Sequence, residues 1–369
     1  MRGDRGQTHP LYGADLGTLW QVWRQANGRY LENGQKRLFH AFLAAAARLP
    51  FTLAESLYVA AAGAGSAQPE APVFILGHWR SGTTHLYNVL SKAPHFAYVS
   101  PFATALPRDF LLLARVLKPL LAKQLPDHRY IDRVAVDPDS PQEDEIALAN
   151  MSSLSYYHAL YFPAAFDRYF DAGIFFDGCS DKQLAQWKLL VNRFYNKLCM
   201  QQPGRRLLIK NPVYTARIRF LLDIWPDARF IHIHRNPYKV FVSMRNFYTR
   251  LFEQFALQDW HAVDIDEVIY RTYDRMMVRY SEQAADLPAD RLVELSFGDF
   301  QRDPLYHLRL IYTQLGLEGF NAAESGFKSY LASVSNYRKA DYQYDNKLVE
   351  KIGRRWEPFI SRWDYSVPT

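Results

Sequence analysis

Residues 73–84 limit what this chain can fold into more than any other stretch. Val73-Phe74-Ile75-Leu76 is a short, continuous apolar run, the mark of a strand buried on both faces. It leads directly into Gly77-His78-Trp79-Arg80-Ser81-Gly82-Thr83-Thr84, and an amphipathic helical stretch follows from His85 to Lys92. Strand, glycine-bounded turn and helix make one βα unit. In such a turn, successive backbone N–H groups with a helix N-terminus behind them form a cradle for an anion. Gly77 and Gly82 permit the positive φ angles and close approach that the turn needs, and Thr83 and Thr84 add hydroxyl donors.

The layout G-x-x-x-x-G-T-T departs from the nucleotide-triphosphate loop. That motif ends in Gly-Lys-[Ser/Thr], with the lysine on the β- and γ-phosphates and the hydroxyl on magnesium. Here Thr83 stands in place of the lysine, and the cation, Arg80, lies three residues earlier. A turn built this way holds a phosphate but is poorly equipped for Mg-ATP. A small-molecule kinase is therefore the alternative reading, and no metal site is expected.

A second unit lies at Arg205 to Arg235. Leu207-Leu208-Ile209 reads as a strand that Lys210 ends, and Asn211-Pro212 supplies an N-cap and first-turn pair for a helix over Val213–Ile224. Arg229-Phe230-Ile231-His232-Ile233-His234 is the next strand, and a strand–helix–strand run of this length implies a right-handed parallel crossover. Asn236-Pro237 caps a further helix from Tyr238 to about Thr249. Arg291–Phe297 reads as one more strand, and Asp303–Leu315 as the helix after it. The expected architecture is α/β, a doubly wound parallel sheet with helices on both faces.

Residues 1–70 read as a helical extension before a main domain of residues 71–369. Thr18–Tyr30, Arg37–Leu49 and Pro50–Ala62 are its helical stretches. Packing on the main domain is the first expectation for them, because their polar face lacks a dense basic stripe; peripheral membrane contact is the alternative. No run reaches the roughly 18 uncharged residues needed to span a bilayer, and no signal peptide is recognisable, so a soluble, cytoplasmic chain is expected. Two cysteines, Cys179 and Cys199, rule out a disulfide framework. A formal net charge of +6 over 369 residues suits an anionic ligand or an anionic membrane surface. It is too weak and too scattered to argue for nucleic acid.

Arg80-Ser81-Gly82-Thr83-Thr84 resembles the 5′-phosphosulfate loop of sulfotransferases that use 3′-phosphoadenosine 5′-phosphosulfate (PAPS), a family whose fold is similar to that of nucleotide kinases. His234-Arg235-Asn236-Pro237-Tyr238-Lys239-Val240-Phe241-Val242-Ser243 resembles the same family's 3′-phosphate element, R-[ND]-P-x-x-x-x-x-S. Arg235 closes a strand and Ser243 lies two turns into the next helix, a spacing that sets both on nearly one face. Ser140-Pro141-Gln142-Glu143-Asp144-Glu145 and Lys210-Asn211-Pro212 are similar to further landmarks of the broad, largely bacterial group of these enzymes.

The resemblance implies transfer of a sulfuryl group from PAPS to an acceptor hydroxyl or amine, with release of 3′-phosphoadenosine 5′-phosphate (PAP) and no metal. It implies that Gly77, Arg80, Ser81, Gly82, Thr83 and Thr84 hold the 5′ end of the donor, and that Arg235 and Ser243 hold the 3′-phosphate. Asn336-Tyr337-Arg338-Lys339-Ala340 partly resembles a segment that closes over that phosphate, with Ala340 where the family has glycine. Arg80 and Lys210 become the cations at the leaving group. The acceptor proton needs a base, for which Glu143 and Glu145 are candidates, although Ser140-x-x-Glu143 is also a capping box. His78, His85 and His158 are outside candidates. The acceptor class stays open among small molecules, glycans and lipids, and the oligomeric state is not legible.

Overall fold

The structure is a computed structural model that describes residues 9–27, 29–63, 70–113, 140–335 and 344–368. Arg338 and Lys339 lie outside these residues. Two units divide the chain. A helical unit draws on Met1–Gln68, Val99–Gln201 and Thr249–Val263, and a sheet unit on Pro69–Tyr98, Gln202–Tyr248 and Asp264–Thr369.

In the sheet unit, β1 (Val73–Leu76), β2 (Phe96–Ala97), β3 (Arg206–Lys210), β4 (Arg229–His234) and β5 (Leu292–Ser296) form a parallel sheet of order β2-β3-β1-β4-β5. All four residues of β1 are buried, as the unbroken apolar run predicts for a strand with a neighbour on each side and a helical layer on each face. Ile75 pairs with Lys210 and Leu76 with His232, so β1, β3 and β4 end at one edge of the sheet. From β1 the chain moves toward β2, and from β4 toward β5, in opposite directions. The ends of β1 and β4 therefore flank a topological switch point, where open parallel sheets bind ligands.

The helices, in chain order, include α1 (Leu16–Gln25), α2 (Glu32–Ala61), α3 (Thr83–Leu90), α4 (Glu145–Met151), α5 (Asp181–Gln201), α6 (Pro237–Phe255), α7 (Ile265–Ala284), α8 (Pro304–Gln314) and α9 (Phe320–Ser333). On one face of the sheet, α3, α8 and α9 pack Leu86, Leu90, Leu308, Ile311 and Phe327 against Val73, Ile75, Ile231 and Val293. On the other, Phe74 meets Tyr214, Trp225 and Phe230, and His232 stacks on Tyr280 of α7 at 3.8 Å. Full burial of one such side chain contributes about 1.5–3 kcal/mol, so the two layers fix the sheet that carries the loops.

Three local expectations are corrected. The helix expected over Val213–Ile224 is a 3₁₀ turn, Pro212–Ala216, followed by the short helix Ile218–Leu222. Asn211 still caps it, accepting from the Val213 N–H at 3.0 Å, and the tighter winding carries Thr215 to Gly77. The capping box at Ser140-x-x-Glu143 does not form: α4 begins at Glu145, and Gln142 Nε2 donates to Ser140 Oγ instead. The stretches Arg37–Leu49 and Pro50–Ala62 are one helix, α2, running through Pro50. Pro50 lies on the exposed side, where the carbonyl it frees can meet water. By length and composition α2 is apolar enough to cross a membrane, and 11% of its most apolar window is buried. Cys179 and Cys199 form no disulfide and are half-buried.

Candidate functional site

The turn after β1 adopts the backbone its sequence allows, with one addition. Gly77 has φ 139° and Gly82 φ 104°, but Arg80 also stands at φ 69°. A left-handed arginine is uncommon, and such strain gathers at functional sites. Crowding explains the two glycines. A Cβ at Gly77 would lie 2.3 Å from the Ile233 carbonyl oxygen, and one at Gly82 would lie 2.2 Å from the Phe297 ring. Within the turn, Ser81 N–H and Oγ both donate to the His78 carbonyl, at 3.2 and 2.8 Å. Gly77 N–H donates to Thr215 Oγ1 at 2.8 Å, which ties the turn to the segment after β3.

Gly82 is the N-cap of α3, whose first helical bond runs from Leu86 N–H to the Gly82 carbonyl. The N–H groups of Thr83, Thr84 and His85 precede that bond and form the positive end of the helix dipole. Behind them Lys210, 2% exposed at the end of β3, donates from Nζ to Thr84 Oγ1 at 3.3 Å. A cation is thus sunk into the floor of the turn.

The turn after β4 meets this one directly. Arg80 Nε donates to Ser243 Oγ at 2.9 Å, and Arg235 Nη1 donates to the Arg80 carbonyl at 3.1 Å. Arg80, Arg235 and Ser243 are therefore one cluster, assembled from two loops and the second turn of α6. The Arg235 guanidinium sits over the Phe297 ring, 5.3 Å from its centroid. Asn236 Oδ1 accepts from Tyr238 N–H, as a cap should.

Sequence reasoning missed the residues that brace this cluster. Thr215, buried, holds Gly77. Phe297 walls Gly82 and underlies Arg235. The segment Trp363–Ser366 secures the other loop. Trp363 stacks on His234 at 4.4 Å, Tyr365 Oη lies 2.8 Å from His234 Nδ1, and the Ser366 carbonyl accepts from Asn236 Nδ2 at 2.8 Å. Burial brings His234 down to about 3, so it stays neutral. Each of these partners comes from a distant segment, and no spacing in the sequence signals it.

The acidic run belongs to the helical unit. Asp144 and Glu145 are buried and hold protein donors. Tyr195 Oη reaches Asp144 at 2.7 Å, while Ser155 Oγ and Tyr156 N–H reach Glu145 at 2.7 and 3.1 Å. Glu143 is half-buried. The outside histidine candidates are packed side chains. His158 lies between the Ala149 and Ser153 carbonyls, and burial brings it down to about 4. His78 is likewise brought to about 4 by burial, and His85 packs against Phe300.

Two anion grips joined at a sheet switch point, with an arginine and a buried lysine inside them, suit a donor with phosphates at both ends. Comparison with known proteins agrees. A family model described as Sulfotransferase family matches residues 72–322. The omega-hydroxy-beta-dihydromenaquinone-9 sulfotransferases Stf3 of Mycobacterium bovis and Mycobacterium tuberculosis are each 28% identical over 303 residues, covering 81% of this chain and 76% of theirs. The crystal structure of sulfotransferase STF9 from Mycobacterium avium shares the fold, with a TM-score of 0.72, 18% identity and 99% of each chain covered. That of sulfotransferase STF1 from Mycobacterium tuberculosis H37Rv gives 0.66 at 18% identity, over 96% of this chain and 94% of that one. The chain belongs to the sulfotransferase family, enzymes that transfer a sulfuryl group from PAPS to an acceptor and release PAP.

Proposed function

We propose that this enzyme sulfates a hydroxyl carried on a lipid-like acceptor, and that the joined loops after β1 and β4 are its donor site. The observation that carries the reading is the direct bonding of Arg80 to Ser243 and of Arg235 to the Arg80 carbonyl, which makes one grip of two motifs. The relatives named for a hydroxylated menaquinone supply the acceptor class. In this reading the enzyme works in the cytoplasm, peripheral to a membrane through its N-terminal helices.

Gly77, Ser81, Gly82, Thr83 and Thr84 hold the 5′ end of the donor through N–H and hydroxyl groups. Arg235 and Ser243 take the 3′-phosphate, and Arg338 and Lys339 are assigned to the same phosphate on the family resemblance. Arg80 and Lys210 stabilise charge that grows on the leaving oxygen as the bond to sulfur breaks; held in place beforehand, they need no reorganisation at that moment. Glu143, the half-buried carboxylate of its run, takes the acceptor proton. Glu145, already holding two donors, is the alternative. PAPS supplies the sulfuryl group.

The test has two arms. PAP should raise the melting temperature without magnesium, and labelled PAPS should transfer label to extracted lipids in preference to glycans. Stabilisation by Mg-ATP with none from PAP would remove the donor assignment, and label on glycans alone would remove the acceptor. Glu143→Gln should lower kcat by about 10²–10⁴-fold; unchanged turnover passes the role to Glu145.

A further inference from the structure

The polarity of α2 is inside out. From Phe39 to Ala61 it carries two charged side chains, Arg48 and Glu55, and both turn into the helical unit. Arg48 pairs with Asp109 and donates to the Ala14 carbonyl at 2.6 Å; Thr52, one turn on, also bonds Asp109. Glu55 Oε1 lies 2.5 Å from Lys197 Nζ on α5, and Glu55 Oε2 accepts from Leu112 N–H. Burial pushes the Glu55 carboxyl up and the Lys197 ammonium down.

The opposite side presents Phe39, Leu43, Ala46, Pro50, Leu53 and Leu57, spaced four and three residues apart. Phe39 is 62% exposed and Leu57 73%, values that would suit charged residues on an ordinary surface helix. Leu49 on one flank, with Phe51 and Tyr58 on the other, are exposed as well. At 100° per residue the apolar band spans about 200°, far wider than the two-position seam of a coiled coil. Next to it in the chain, α1, which packs on α2, exposes Trp20 and Trp23, their rings 5.1 Å apart. Exposed tryptophans of this kind favour the level where hydrocarbon meets water.

We infer that the outer face of α2 seats the enzyme on a lipid bilayer, the helix lying in the interface and not crossing it. Crossing would drag the Arg48–Asp109 and Glu55–Lys197 pairs, and the protein around them, into hydrocarbon. A band this wide fits a flat apolar surface better than one partner helix. The inference rests on the lipid-like acceptor proposed above: an enzyme standing on the bilayer meets a substrate dissolved in it. The outer face from Phe39 to Ala61 carries no Asp, Glu, Lys or Arg among the described residues, with His40 on the Tyr58 flank, so the attachment depends mainly on apolar contact and resists salt.

The full chain is sedimented with vesicles of phosphatidylcholine and phosphatidylglycerol, beside a variant carrying Leu43→Glu, Leu53→Glu and Leu57→Glu. The expected result is binding by the native chain that persists in high salt, and a loss of about tenfold or more in the variant. The variant should keep the native melting temperature and its shift with PAP. Three results would overturn the inference: a native chain that stays in the supernatant, a variant that binds equally well, or a native dimer that the variant splits in light scattering. Transfer from PAPS to a lipid alcohol dissolved in detergent micelles, measured in parallel, separates the two readings. If it is absent, the proposed function fails whatever the vesicles show.

Discussion

Cations serve opposite ends in the two units. In the helical unit Arg48 and Lys197 are matched with the carboxylates of Asp109 and Glu55, and the pairs hold segments together. In the sheet unit Arg80 donates to a serine hydroxyl, Arg235 to a backbone carbonyl and Lys210 to a threonine hydroxyl. A neutral acceptor aims a cation without cancelling its charge. The first arrangement joins charge to charge for the sake of the fold, and the second ties cations from separate strand ends to the loops of the proposed donor site.

Breaking a buried pair should show the largest effect. Lys197→Ala leaves Glu55 buried without its cation and should cost about 3–5 kcal/mol in denaturant unfolding, with PAP affinity of the folded protein unchanged. A loss under 1 kcal/mol would dissolve the contrast. Arg80→Ala should do the reverse, lowering turnover of labelled PAPS by about 100-fold or more while the melting temperature holds. Should it melt the protein as Lys197→Ala does, Arg80 belongs with the structural cations.

Smaller effects sharpen the sheet-unit side. Arg235→Ala should weaken PAP about 10- to 100-fold in calorimetry, the range of a hydrogen bond to a charged group. Gly82→Ala places a Cβ against Phe297 at φ 104° and should destabilise by about 1–3 kcal/mol; a neutral melt would mean that Phe297 moves aside. A further test is acid. Burial brings His9, His78 and His158 from 6.5 down to about 4, so the unfolded chain takes up protons that the folded one refuses. Stability is then complete above about 6.5 and falls as pH drops toward 4. Melting temperatures that stay flat between about pH 7.5 and 5 would contradict it.

Much of the sheet was legible. Strand β1 announces itself because a parallel strand covered on both faces is apolar without interruption, and the apolar residues of β3, β4 and β5 mark those strands although His232 and Glu294 interrupt the last two. The two-residue β2 is too short to leave a pattern. At the site, the glycines, Arg80 and the Arg235–Ser243 spacing were readable because each motif lies in one continuous segment. Thr215, Phe297 and Tyr365 were not, since each acts on residues far away in the chain. The helix α2 was half legible: its apolar content was plain, and its direction was not. The residues expected to pack inward include the ones that face out, because Arg48 and Glu55 find partners in Asp109 and Lys197.

The order of residues settled the chemistry on offer, namely a glycine turn for an anion, hydroxyls, and cations at strand ends. Which charges would face one another was left to the folded chain. Local geometry is written in neighbouring residues by helical and strand periods, whereas the partner of a buried charge depends on the strand order and helix packing that bring remote segments together. That is why Arg80 and Arg235 meet at the end of the sheet, while Arg48 and Lys197 are spent inside the helices.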